Sequence, residues 1–152
     1  MRSFIIGFSV VLVALMSASA QQSSQPASAG QGYTLTVIVE GIDQSDGNIG
    51  MLIFNSPNGW AEDRQTALKD ITVPAKPGTI KLTASGLPAG EYAVSIAHDA
   101  NKNHKLDRNF LGKPTEQWGL SNNPHAVLKT PSYDACKFHL KGDMELHITM
   151  QK

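Results

Sequence analysis

Tyr33-Thr34-Leu35-Thr36-Val37-Ile38-Val39 is the stretch that decides the fold. Tyr33, Leu35, Val37 and Val39 share one parity, with Thr34, Thr36 and Ile38 between them. Successive side chains of a strand point to opposite faces, so one apolar row can meet a core while the other row faces away. The same period recurs down the chain. Ile49, Met51 and Ile53 repeat it after Asp46-Gly47, a dipeptide suited to a tight hairpin. Ile80 and Leu82 mark a short strand, and Tyr92, Val94, Ile96 and His98 a further one. Phe138 and Leu140 lie on a late strand; Met144, Leu146 and Ile148 line the last. Leu87-Pro88-Ala89-Gly90 reads as a sharp turn, with Pro presetting φ at the second position and Gly favoured at the fourth. Together these signals predict an all-β domain, an antiparallel Ig-like sandwich of about seven to eight strands. Ser56-Pro57-Asn58 can open a helix, so one short helix is expected near 57–68.

The N-terminal segment reads differently. Met1-Arg2 is positive, Phe4 to Met16 is apolar or small, and Ala18-Ser19-Ala20 offers a cleavage site. Residues 1–20 therefore read as a signal peptide cut after Ala20, and a periplasmic or secreted location is expected. The apolar run is shorter than the roughly 20 residues that cross a bilayer, so no membrane span is expected after cleavage. Residues 21–32 are Gln, Ser, Ala, Gly and Pro and read as a flexible leader to a single domain at 33–152. Without residues 1–20 the chain carries 12 basic and 13 acidic residues, and no stretch concentrates Lys and Arg. A nucleic-acid partner is set aside on that ground. Cys136 is the only cysteine, so no internal disulfide can form. It is expected to be a small buried residue on the strand of Phe138 and Leu140.

The chemistry concentrates after His98. Asp99, Asn101, Asn103 and Asp107 fall at positions 1, 3, 5 and 9 of a calcium-loop pattern, with the Lys105 carbonyl at position 7. His104 stands where such a loop has Gly, and Phe110 where it has a bidentate Glu. Calcium is the one cofactor expected. Its dissociation constant would be on the order of 0.1–1 mM unless Glu116 or another residue closes the site. The alternative is an Asx-turn loop that holds no ion. His98, His104 and His125 raise a transition-metal reading, which needs loop folding to bring them together. No His-Glu-x-x-His, Gly-x-Ser-x-Gly or Walker motif occurs, so an enzyme is not expected. The rival is an envelope hydrolase or carbohydrate-active protein using His98, Asp99, Asp107 and Glu116. Trp118, in a Gly-framed segment, is expected to cap the open end of the sandwich, with a ligand or partner contact as the alternative.

The order Gly90-Glu91-Tyr92-Ala93-Val94, His98-Asp99, Asn101, Asn103, Leu106-Asp107, Gly112-Lys113-Pro114, Glu116, Gly119, Ser121-Asn122-Asn123 and Pro131-Ser132-Tyr133-Asp134-Ala135 resembles the bacterial family called domain of unknown function 2141. The resemblance covers about residues 33–150 and implies an exported sandwich without naming an activity. The family's usual loop has Gly at the position of His104. The Leu-Pro-Ala-Gly-x-Tyr turn is also similar to transthyretin-like and collagen-adhesin B-type sandwiches, which implies a prealbumin-like arrangement. The expected function is an exported, non-catalytic binding or accessory module. Its expected partner is a protein or carbohydrate of the cell envelope.

Overall fold

The computed structural model describes residues 32–125 and 129–152. The expected signal peptide and all but the last residue of the leader lie outside the described residues. Eight strands and one short helix follow in chain order. They are β1 (Tyr33–Ile42), β2 (Asn48–Phe54), β3 (Lys69–Pro74), β4 (Gly78–Leu87), β5 (Gly90–Asp99), β6 (Trp118–Leu120), α1 (Tyr133–Cys136), β7 (Phe138–Leu140) and β8 (Met144–Thr149). One sheet runs β4-β1-β8; the other runs β3-β2-β5-β6, with β7 paired to the start of β5. The sandwich is as the alternation predicts.

Parity builds the core. Leu35, Val37 and Val39 of β1 are fully buried against Leu82 and Ala84 of β4 and Ile148 of β8. Ile49, Met51 and Ile53 of β2 and Val94 and Ile96 of β5 meet them from the opposite sheet. Burying each such side chain contributes about 1.5–3 kcal/mol, which suits a domain with no internal disulfide. The Pro88 turn is locked from within β5, since Tyr92 Oη donates to the Pro88 carbonyl at 2.9 Å.

Four expectations need correction. First, β1 pairs antiparallel with β4 but parallel with β8. The chain enters β8 from β7 in the other sheet, so no hairpin fixes its direction. Second, Asp46-Gly47 is not a hairpin, because β1 and β2 belong to different sheets. Gly47 has φ +75°, and a Cβ there would lie 1.9 Å from the Asp99 carbonyl oxygen. The glycine serves close packing where the chain crosses between sheets. Third, residues 57–68 form consecutive turns and no helix. Gly59 and Ala61 take φ +66° and +76°, which ends any right-handed helix. Fourth, Cys136 ends α1 instead of lying on the Phe138 strand. Its burial is as expected, and it pushes the thiol up to about 11.

Among the described residues, no helix is long and apolar enough to cross a membrane.

Candidate functional site

The second sheet has two different faces. Its inner face joins the main core. Its outer face carries Leu52, Phe54, Ala93 and Leu120 under a second apolar cluster with Tyr133 and Cys136. The 55–68 turns and α1 cover part of this face. Trp60 fastens that cover: its ring stands edge-on to Phe54 and Tyr133, and its Nε1 donates to the Pro131 carbonyl at 2.9 Å.

The rest of the outer face is open. Cross-strand register puts Thr72, Gly50, Ala97 and Trp118 in one row, and Asp70, Leu52, Ser95 and Leu120 in the next. Gly50, Ser95 and Ala97 are small, and the floor they leave is the base of a cavity of about 300 Å³. Trp118 lines it from β6. The Trp therefore does not cap the sandwich end. Gln117 does so, with Oε1 accepting from Asp43 N at 3.0 Å and Nε2 donating to the Gly41 carbonyl at 2.9 Å.

Two walls rise from loops. Arg64 comes from the 55–68 turns and lies across Gly50, with Nη2 at 3.7 Å from where a glycine Cβ would stand. Nε and Nη2 both donate to the Asp70 carboxylate, at 2.8 and 2.7 Å, and Nη2 also donates to Thr72 Oγ1 at 2.9 Å. This fork holds the Asp70 carboxyl below its ordinary value. The second wall is the 99–114 segment. His104 reaches from it to Arg64, with Nδ1 at 3.3 Å from Nη1. Arg108 pairs with Glu62 and donates to the Gly112 carbonyl.

The expected calcium residues do come together. Asp99 is buried, and its oxygens accept from the Asn103 and His104 amides at 2.9 and 2.8 Å. Asn101 Oδ1 accepts from Asn103 N, and Asn103 Oδ1 from Lys105 N. The Nδ2 groups of both asparagines donate to Asp107, at 2.7 and 2.9 Å. Glu116 closes the base, taking Ala100 N at 2.9 Å on one oxygen and Asp107 N at 3.0 Å on the other. These are Asx turns, and the loop closes on itself by hydrogen bonds. A calcium ion would need both asparagine amides to turn their oxygens inward. Lys102 and His104 take φ +61° and +63° to complete the curl.

The histidines expected to carry a transition metal do not gather. His98 is buried on the core side of β5, with Nε2 donating to the Asp46 carbonyl at 2.7 Å. His104 lines the cavity on the opposite face, and His125 is exposed. Among the described residues, no three His, Cys, Asp or Glu side chains are grouped to hold a metal ion. Of the residues posed for hydrolysis, Asp99 lines the cavity, and His98, Asp107 and Glu116 do not.

Arg64, Arg108 and the small-residue floor carry no motif that marks them in the sequence. The floor left one trace: Gly50, Ser95 and Ala97 interrupt the apolar runs of β2 and β5 at the outward parity.

The fold and site define a two-sheet β-sandwich with a loop-walled cavity on its outer face. The chain belongs to the family described as uncharacterized protein conserved in bacteria, domain of unknown function 2141, whose model matches residues 37–148. No curated protein and no solved structure matches it.

Proposed function

We propose that this protein is an exported, non-catalytic binding module whose ligand seat is the cavity between Arg64, the 99–114 segment and Trp118. The observation that carries the reading is the cavity itself. At about 300 Å³ it falls at the lower end of small-ligand sites, and it combines an apolar floor with polar groups on its walls. A non-catalytic role is supported by the way the loop carboxylates are used. Asp99, Asp107 and Glu116 all accept hydrogen bonds from amides of their own loop, which commits these three carboxylates to holding that loop closed.

Amide chemical-shift mapping against a mixed small-molecule library tests this. Shifts are expected to cluster at Gly50, Ala97, Trp118 and His104. Shifts confined to other surfaces, or none, refute the reading.

Calcium is a second, separable proposal, favoured by the convergence of Asp99, Asn101, Asn103 and Asp107 around one loop. Chelator-stripped protein should then melt higher in millimolar calcium, by the linkage of ion binding to folding. An unchanged melting temperature removes it.

A further inference from the structure

We propose that the cavity takes an amphipathic organic anion, an apolar body carrying one carboxylate, sulfonate or phosphate. This inference rests on the cavity being a ligand seat. The floor favours the apolar part. Leu52, Ala97, Trp118 and Leu120 supply carbon surface, and the floor's hydroxyl, Ser95 Oγ, already donates to the Ala61 carbonyl at 2.7 Å. A sugar, which needs many hydrogen-bond partners, finds few on such a floor.

The walls favour the anion. Lys105 and Lys113 of the 99–114 segment, Lys129 and Lys152 line the cavity, alongside Arg64 and Arg108. These six come from a chain of 13 basic and 13 acidic residues with no net charge, so the excess is local. The lining carboxylates are Glu62 and Asp99. Glu62 is paired with Arg108, and Asp99 is held by two backbone amides. The four lysines make no ion pair among the described residues. An incoming acid group would therefore meet uncompensated positive charge over an apolar base, which is the charge pattern complementary to an amphipathic anion.

The test uses two fluorescent probes that differ in one group, 8-anilinonaphthalene-1-sulfonate and its neutral parent N-phenyl-1-naphthylamine. The purified protein should bind the sulfonate roughly five- to twenty-fold tighter at low salt, and the preference should collapse near 1 M salt. A quadruple variant, Lys105→Gln with Lys113→Gln, Lys129→Gln and Lys152→Gln, should bring the sulfonate's affinity down to that of the neutral probe. Gly50→Leu fills the floor, at a position without positive φ, and should remove both probes. Ala97→Leu does the same from β5 and serves if the first variant fails to fold. Equal, salt-independent affinities overturn the anion inference and leave the cavity reading standing. Binding of neither probe overturns both. Full binding to the filled variants places the dyes elsewhere and overturns the inference.

Discussion

Glu116→Gln isolates what closes the 99–107 loop. Both carboxylate oxygens of Glu116 are committed to backbone amides, Ala100 N at 2.9 Å and Asp107 N at 3.0 Å. Glutamine keeps the length of the side chain but has one acceptor oxygen. Its NH2 must then face an N–H that also needs an acceptor, and one charge-assisted bond is lost outright. Hydrogen bonds to charged groups contribute about 1.5–3 kcal/mol. Glu116 is half-buried, so water can replace part of what is lost. The expected cost is about 1–2 kcal/mol, or roughly 3–8 °C in Tm for a domain of this size. Urea unfolding should give that loss at an unchanged slope, and hydrogen exchange should quicken at Ala100 and Asp107 before it quickens in β5. The cost should be the same with calcium or with chelator, because the bridge is made to amides and not to an ion. A Glu116→Gln protein that melts like the parent, with both amides still protected, would refute the bridge.

The other expectations concern the neighbours of this loop. His104→Gly relieves a left-handed conformation that costs a non-glycine residue about 1–2 kcal/mol, partly offset by the added freedom of the unfolded chain. It should leave Tm equal or higher while weakening probe binding in the cavity, and a drop beyond about 1 kcal/mol in urea unfolding would contradict this. Asp70 carries a carboxyl held below its ordinary value, first by the hydrogen bonds from Arg64. Its contribution is present above the unfolded value of 3.8 and is lost as pH falls through the lower folded value. Asp70→Asn should therefore flatten the acid limb of stability measured between about pH 2 and 5, with the wild-type slope surviving only if the pair is idle. Ser121→Ala removes a fully buried hydroxyl that donates to the Cys136 carbonyl at 2.6 Å and accepts from Val94 N at 2.9 Å. Leaving Val94 N–H and the Cys136 carbonyl unmet should cost about 2–4 kcal/mol in chemical denaturation, and a cost under 1 would show that water enters.

How much of this was legible in the sequence follows from range. Parity is a local property, so β1, β2, β5 and β8 and their buried rows could be read directly. β3 was missed because only Ile71 and Val73 carry its alternation, on an edge strand where Lys69, Asp70, Thr72 and Pro74 face outward or end it. β6 was missed because it is three residues long with Gly119 at its centre. That glycine is required, since a Cβ would come within 2.7 Å of the Ile148 side chain in the other sheet. The loop oxygens were legible for the same local reason: Asp99, Asn101, Asn103, Asp107 and Glu116 lie within 18 residues, and they do close one loop.

The cavity walls could not be read this way. Arg64 and His104 are 40 residues apart and meet only because β2 and β5 lie side by side. No stretch of the sequence concentrates Lys and Arg, yet a fold can gather positive charge from scattered positions. Here the sheet sets the spacing, with Gly50 and Ala97 paired on adjacent strands and Arg64 laid over the gap where a side chain would have stood. The Arg64 fork to Asp70 fixes one wall, His104 joins the loop to it, and Glu116 holds that loop at its base. The unusual His104 thus acquires a physical reason. A glycine at that position would curl the loop at less strain, but it would leave Arg64 without the contact that ties the two walls of the cavity together.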